Sequence, residues 1–387
     1  MSYNSAYIIT AINSVIEGED RPISLHEPLF IGNEKKYVDS CIDDGWVSSV
    51  GAFVDRFEQD LAAYCGAKHA IVTVNGTCAL HITLVALGVA PDDEVLIPSL
   101  TFVATANAVS HAGAVPHFVE VEETSLGVCP TKLDAYLARI TYSKNGKTIN
   151  KNTGRVISAL MPVHVFGHPC QITELAKVAQ KYNLLLVEDA TEALGSTIGE
   201  KPVGSERTAV LSFNGNKIIT TGGGGAILTN DNALHAKLKH LTTTAKQPHK
   251  WAFAHDELAW NYRMPNLNAA LGCGQLEQLP KFLQAKRALA QKYIAAFANV
   301  KGVRVLIEPS GTTSNYWLVA LIAENGNKEW LDTTLKSLHD AGLLCRPVWQ
   351  PLHQLPMYSK NPKADLQLTE SLATRIINLP SSVKLGM

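Results

Sequence analysis

A single lysine, Lys217, lies in the glycine-rich segment SFNGNKIITTGGGG, which spans residues 212–225. A β-prone run precedes this segment and a second apolar run follows its four glycines, so the pattern predicts a β-hairpin whose connection carries the lysine. Glycine permits close backbone approaches, and a lysine removed from water can act as an amine nucleophile. On this segment alone, a catalytic lysine and a surface lysine on a flexible hairpin are equally good interpretations.

Two other segments place polar residues at the ends of predicted strands. Asp189 follows the apolar run 184–187, which is typical of a buried parallel strand. An acid at the carboxyl end of such a strand faces the crevice where α/β sheets bind ligands. Gly76 and Thr77 follow another apolar run and open a helical pattern, which suits a phosphate group. A lysine, a strand-end acid and a phosphate-binding turn are the three parts that hold pyridoxal phosphate (PLP).

The elements around these residues alternate between strands and helices from residue 70 onward, which predicts an α/β fold. We expect a mostly parallel central sheet with helices on both faces, and a smaller C-terminal α+β domain. The predicted strands span residues 70–74, 94–98, 115–121, 155–163 and 184–189. The polar segment 141–154 is predicted to be a surface excursion, and the helical pattern at 267–297 to be interrupted near Pro280.

The predicted domain organisation has three parts. Residues 1–20 form an N-terminal arm, residues 21–270 a large PLP-binding α/β domain, and residues 271–387 a linking helix with the small C-terminal domain.

Composition argues against several classes of protein. The 34 basic and 35 acidic residues nearly cancel, so we expect neither a nucleic-acid partner nor a membrane partner. The chain shows no apolar run long enough to cross a bilayer and no signal peptide at its start. Its seven cysteines are scattered without a C-x-x-C pair, which is typical of reduced packing residues. We therefore expect a cytoplasmic protein.

Several segments, taken together and in order, resemble the DegT/DnrJ/StrS sugar aminotransferases, which are PLP enzymes of fold type I. The matching segments are NGTCALHITLVALGV (75–89), PSLTFVATANAVSHAGAVPHFVEV (98–121), PVHVFGHP (162–169), VEDATEALGS (187–196), SFNGNKIITTGGGG (212–225), NYRMPNLNAALG (261–272) and RPVWQPLH (346–353). The variant NGNKIITTGGGG most resembles the subgroup that aminates C4 of UDP-4-keto-6-deoxy-N-acetylhexosamines, in the bacillosamine and legionaminic acid pathways.

The resemblance implies roles for individual residues. Lys217 would bind the cofactor covalently and carry the transferred proton, and Asp189 would keep the pyridine nitrogen protonated. The implied cofactor contacts are Gly76, Thr77, Phe102, Asp189, Glu192, Ser212, Lys217 and, from the other subunit, Asn261. The implied substrate contacts are His164, Arg263, Tyr316 and Arg346. We predict no metal site, because the H-x₃-H spacing at residues 164 and 168 lacks a further ligand.

The resemblance also implies an activity. The protein is expected to be a homodimer with shared active sites that moves the amino group of L-glutamate to a keto nucleotide sugar, at C4 of a UDP-linked N-acetylhexosamine, for bacterial surface glycans or nonulosonic acids. Amination at C3 or C4 of a dTDP- or GDP-linked sugar is the alternative. A further alternative is that the protein is a non-catalytic regulator with a PLP fold. Related dehydratases carry histidine at the lysine position, so Lys217 argues against dehydration.

Overall fold

The structure is a computed structural model that describes residues 5–387, so the first four residues of the predicted arm lie outside it. The helices of the described residues are α1 (Ser5–Val15), α2 (Glu34–Asp43), α3 (Ala52–Cys65), α4 (Gly76–Ala86), α5 (Ala104–His111), α6 (Pro130–Ile140), α7 (Ile172–Lys181), α8 (Asn232–Thr242), α9 (Asn266–Phe297), α10 (Lys328–Asp340) and α11 (Gln367–Ala373). The strands are β1 (His69–Thr73), β2 (Glu94–Pro98), β3 (Val115–Val119), β4 (Thr141–Lys144), β5 (Lys147–Asn150), β6 (Val156–Leu160), β7 (Leu185–Leu186), β8 (Glu188–Asp189), β9 (Thr197–Ile198), β10 (Lys201–Pro202), β11 (Ala209–Ser212), β12 (Gly225–Thr229), β13 (Val303–Val305), β14 (Thr312–Thr313), β15 (Val319–Ala323), β16 (Arg346–Pro347) and β17 (Ile376–Leu379).

The central sheet is mostly parallel, as predicted. Strands β3, β2, β6 and β7 follow one another as parallel neighbours. One residue after β7 the chain becomes β8, which pairs in parallel with β11. The layer then continues with β12, which is antiparallel to both of its neighbours β11 and β1, and ends with β1. The carboxyl ends of the parallel strands therefore meet at one edge, where Asp189 and Ser212 end their strands.

Side chains alternate between the two faces of this sheet, and each face is covered by helices. Val95 and Ile97 of β2 belong to a buried cluster that includes residues of α4, α5 and α8. Leu96, between them, belongs to a different cluster with residues of α6 and α7. Consecutive apolar residues are the expected pattern for a strand that is buried on both faces, and β2 is buried in this way.

A second, antiparallel sheet lies in the C-terminal part of the chain. Its strand order is β13-β15-β17-β16. Its core joins residues of α10 with the C-terminal half of α9 and with Ile8 and Ile12 of α1. The predicted smaller α+β unit is thus present, and the described part of the predicted arm packs on it. The domain boundaries at residues 20 and 270 stay predictions.

The interruption expected near Pro280 is wrong, and the surface excursion expected at 141–154 is a largely exposed hairpin. The polar segment 141–154 forms the β4–β5 hairpin, whose second strand pairs with the start of β6. Helix α9 runs unbroken for 32 residues through Pro280. A proline inside a helix costs about 3 kcal/mol, but Leu279 and Phe282 beside it are fully buried in the core, which offsets this cost. Among residues 5–387, every helix is too short or too polar to span a bilayer.

Candidate active site

The predicted lysine hairpin is present. Strands β11 and β12 pair antiparallel, with Ser212 opposite Gly225, and the connection between them carries Lys217. The Phe213 N–H donates to the Gly224 carbonyl at 2.8 Å, which closes the connection at its base. A Cβ atom on Gly225 would lie 2.6 Å from the Asn75 carbonyl carbon. Only glycine therefore lets this hairpin pack against the start of α4.

Lys217 points into a nearly closed environment. Its side chain is only 12% exposed, and its Nζ lies 3.5 Å from Glu192 Oε1. The same Nζ lies 3.8 Å from the centre of the Trp317 ring. Burial lowers the pKa of Lys217, while the charges of Glu192 and Asp189 oppose this effect. The amine is thereby shifted toward the neutral form that a nucleophile or proton acceptor requires.

Glu192 is the ionisable partner of this lysine. Its Oε2 accepts the backbone N–H of Phe166 at 2.8 Å, and its side chain is buried. Burial raises the pKa of Glu192 to about 7, against the opposing effects of Lys217 and the Phe166 N–H. A carboxyl group with this pKa can take up or release a proton near neutral pH.

Both carboxylate oxygens of Asp189 accept hydrogen bonds that fix the orientation of the side chain. Thr105 Oγ1 donates to Oδ2 at 2.8 Å, and Thr191 donates to Oδ1 through its hydroxyl at 2.7 Å and its N–H at 3.2 Å. The side chain is buried, and within residues 5–387 no lysine, arginine or histidine lies within salt-bridge distance of it. A buried carboxylate with one singly bonded oxygen retains capacity to accept a further hydrogen bond from a cationic donor.

The predicted phosphate turn lies next to the lysine hairpin. Gly76 is the first residue of α4, and the side chain of Asn75 accepts the N–H of Cys78. The N–H groups of Gly76 and Thr77 have no acceptor inside the helix and carry the positive end of its dipole. A Cβ on Gly76 would approach Ser212 Cβ to 3.1 Å and Thr191 Cγ2 to 3.3 Å, so the structure brings Gly76 and Ser212 together.

These features fit PLP. The α4 N-terminus with the Ser212 hydroxyl offers donors for a phosphate, Asp189 offers an acceptor for a protonated ring nitrogen, and Lys217 offers the amine for the aldehyde. The specific contacts remain predictions.

Phe102 and Asn261 lie at positions open to a ligand or a second chain. Phe102 precedes α5, its ring is 52% exposed, and its centre lies 6.4 Å from that of Trp349. Asn261 is exposed and forms an isolated bridge with Thr243, beside the edge of the central sheet. The contacts of Phe102 and Asn261 with the cofactor stay predictions.

Two predicted substrate residues are buried in the protein instead. His164 is fully buried, and its Nε2 lies 3.0 Å from Glu188 Oε2 while its Nδ1 accepts the N–H of Cys170. Tyr316 is also buried, and its hydroxyl accepts the N–H of Glu308 at 3.3 Å. Their polar atoms are already bonded within the protein and away from solvent, and the contact of either residue with a substrate stays a prediction.

The two predicted arginines are separated. Arg346 is exposed and lines a cavity between α10 and β16 with His339 and Asp340, and Lys217 is not among the residues that line this cavity. Arg263 lines a different cavity of about 220 Å³, together with Ser49 and Gly51. Its Nε is buried without a hydrogen-bond acceptor. An unpaired guanidinium at a cavity keeps Arg263 as a candidate for an anionic substrate group.

The structure adds three residues that the sequence reasoning missed. Thr105 and Thr191 clamp Asp189, and Trp317 lies under Lys217. Thr191 follows Asp189 by two residues, a spacing typical of side-chain bonds to Asp in turns, so this contact had a local signal. The contact between Trp317 and Lys217 had no local signal, because the two residues are 100 positions apart along the chain.

One group of side chains could share a metal ion in the part of the chain that the structure describes. It consists of His240, Asp256 and Glu257, at the protein surface. Acidic surface groups of this kind are common without a metal, and this group lies outside the Lys217 site.

The chain is similar to known proteins over most of its length. The family model described as DegT/DnrJ/EryC1/StrS aminotransferase matches residues 30–387. The GDP-perosamine synthase of Caulobacter vibrioides is 38% identical over 362 residues, covering 93% of each chain. That of Vibrio cholerae is 37% identical over 361 residues, covering 93% of this chain and 94% of its own. The crystal structure of a DegT DnrJ EryC1 StrS aminotransferase from Brucella abortus superposes with a TM-score of 0.82, at 27% identity, covering 91% of this chain and 90% of that one. The chain therefore belongs to the DegT/DnrJ/EryC1/StrS family of PLP-dependent sugar aminotransferases.

Proposed function

We propose that this protein transfers an amino group from L-glutamate to the 4-keto group of a GDP-linked 6-deoxyhexose. The observation that carries the chemistry is the buried Lys217, held between Glu192 and the Trp317 ring in the same site as the clamped Asp189. These residues supply an amine of lowered pKa and a fixed carboxylate, which are the two groups that amino transfer with PLP requires.

The side chains divide the work of proton transfer and charge stabilisation. When bound, PLP supplies an aldehyde to receive the amino group and a ring to accept electrons. Lys217 Nζ takes the proton from Cα of glutamate and later gives a proton to C4 of the sugar. Asp189 holds a proton on the ring nitrogen, with its orientation fixed by Thr105 and Thr191. Glu192, with a pKa raised to about 7 by burial, exchanges a proton with its neighbours near neutral pH.

The nucleotide is inferred from the relatives. Both curated relatives described above are named GDP-perosamine synthases. Perosamine carries its amino group at C4 of a 6-deoxyhexose, so an acceptor of this class is a GDP-linked 4-keto sugar. A UDP-linked 4-keto-6-deoxy-N-acetylhexosamine is the second candidate, favoured by the variant NGNKIITTGGGG at residues 214–225 of the lysine hairpin.

We also infer that the protein works as a dimer whose subunits share active sites. The segment before Asn261 exposes large apolar side chains to solvent, including Trp251 at 79% and Phe253 at 79%. Exposed apolar groups of this size favour a covering partner. A second copy placed there would bring its exposed Asn261 near the cofactor site of its neighbour, in a reciprocal arrangement.

The test is a substrate panel. The holoenzyme, supplied with L-glutamate, is incubated with GDP-4-keto-6-deoxymannose, UDP-4-keto-6-deoxy-N-acetylglucosamine or dTDP-4-keto-6-deoxyglucose, and kcat/KM is measured for each sugar. We expect at least about a tenfold preference for the GDP sugar, equivalent to about 1.4 kcal/mol. NMR of the product should place the amine at C4. A preference for the UDP sugar would select the second candidate, and Lys217→Ala protein is the inactive control.

A spectroscopic test separates an enzyme from a non-catalytic PLP-binding regulator. The absorbance of the protein-bound cofactor should change on addition of L-glutamate. One molecule of 2-oxoglutarate should form for each cofactor that is converted. A protein that binds PLP without this change is a binder and not an aminotransferase.

A further inference from the structure

A histidine outside the residues assigned above, His26, is close enough to the catalytic lysine for the charge of Lys217 to affect its pKa. Both ring nitrogens of His26 are buried, and neither has a hydrogen-bond partner within the described chain. Buried polar groups in proteins are almost always paired, so two buried ring nitrogens without a partner leave His26 free to bind a group that is not part of the chain.

Hydrogen bonds on both sides of His26 fix its segment to residues 381 and 382. The Ser381 N–H donates to the Leu25 carbonyl at 2.6 Å, and the Glu27 N–H donates to Ser382 Oγ at 2.9 Å. Leu25 packs against a cluster that contains Phe166 and Trp317. Trp317 lies under Lys217 and Phe166 donates to Glu192, so the segment that carries His26 packs against a cluster whose members contact both residues of the catalytic pair.

Lys286 is a second lysine whose charge acts on His26. It is fully buried, and its Nζ donates to the carbonyls of Trp317 and Ser381. Burial, together with the positive charges of Lys286 and Lys217, lowers the pKa of His26 well below its ordinary value. The ring is therefore neutral, with one nitrogen that donates and one that accepts.

We propose that His26 is a specificity residue that hydrogen-bonds a hydroxyl group of the acceptor sugar. A neutral imidazole matches a hydroxyl, which both donates and accepts, better than it matches the carboxylates of glutamate, which only accept and pair best with a cation. This assignment rests on the proposed function, because it requires a sugar in the Lys217 site.

The two half-reactions allow a direct test on the holoenzyme. In His26→Phe protein, a ring of similar shape without nitrogens replaces the imidazole. The rate of cofactor conversion by L-glutamate should stay within about twofold of wild type, while KM for GDP-4-keto-6-deoxymannose should rise about tenfold, the effect of one lost uncharged hydrogen bond. His26→Asn, which keeps a donor and an acceptor, should recover part of this loss.

Equilibrium binding supplies a readout that does not depend on turnover. The affinity for GDP alone should be equal in wild type and His26→Phe, because GDP lacks the hexose and its hydroxyl groups. The affinity for the aminated sugar nucleotide should fall about tenfold in the variant. Deoxy analogues lacking one sugar hydroxyl should bind both proteins alike when that hydroxyl is the partner of His26.

His168 provides a matched control. Its two ring nitrogens are also buried and unpartnered, but its ring packs edge-on against Tyr316 at 5.2 Å. His168→Phe should leave the sugar affinity unchanged, and thermal unfolding should show that all variants are folded. If His26→Phe fails to fold, His26→Asn and the deoxy analogues carry the test.

The outcomes separate the two proposals. A wild-type protein that aminates none of the sugars in the panel refutes the proposed function. A wild-type protein that aminates a sugar, with equal sugar affinity in His26→Phe, refutes the role of His26. A larger loss in the glutamate half-reaction than in the sugar half-reaction would also refute it, because His26 would then serve the amino donor.

Discussion

Glu192→Gln should make the protein more stable at alkaline pH. In the wild type, burial raises the pKa of Glu192 from 4.5 to about 7. Because the folded state holds this proton more tightly than the unfolded state, the contribution is present below pH 4.5 and is lost as pH rises through 7. A rise of this size corresponds to about 3 kcal/mol in the free energy of unfolding. The side chain is buried, so solvent screens this effect little.

Glutamine mimics the protonated carboxyl group at every pH and still offers an oxygen to the Phe166 N–H. The difference in unfolding free energy between Glu192→Gln and wild type should therefore grow by about 2–3 kcal/mol between pH 5 and pH 8.5, in favour of the variant. The exposed Glu200 offers a matched control, since Glu200→Gln should follow the wild type at each pH.

The assay is urea unfolding followed by tryptophan fluorescence at a series of pH values. The measurement uses protein stripped of PLP, because the cofactor would otherwise contact both Glu192 and Lys217. Wild type and Glu192→Gln curves that keep a constant separation from pH 5 to pH 8.5 would refute the reasoning, since Glu192 would then titrate alike in the folded and unfolded states.

Three further predictions concern the reaction. Lys217→Ala should lose transamination by at least about 10³-fold while thermal unfolding stays cooperative; near wild-type turnover would remove Lys217 from the mechanism. Asp189→Asn should retain PLP but slow the glutamate half-reaction, measured by stopped-flow absorbance, by at least about tenfold, because an amide cannot keep a ring nitrogen charged. Thr105→Val should slow the same half-reaction by a smaller factor. An unaffected rate in Asp189→Asn would contradict the role of Asp189. Mixing inactive Lys217→Ala with inactive Asn261→Asp protein, followed by subunit exchange, should restore roughly a quarter of the sites; mixed dimers without activity would place Asn261 outside its neighbour's site.

The sequence by itself determined the elements and the residues whose signal is local. The apolar runs of β2 and β6 are buried on both faces, so composition sufficed to predict parallel strands. The position of Asp189 at a strand end and of Gly76 at a helix start also followed from the pattern. The lysine hairpin was predicted from its flanking strands and its glycines, whose small size the close approach at Gly225 requires.

Only the tertiary structure decided which of the polar residues are already bonded inside the protein. His164 and Tyr316 are buried with their polar atoms bonded to the protein, although their segments fit the family pattern. Trp317 reaches Lys217 from a distant part of the chain, a contact with no local signal. Helix α9 continues through Pro280, because burial of its neighbours outweighs the lost hydrogen bond. In each case long-range packing set the outcome, and such packing depends on contacts that residue type and spacing do not encode.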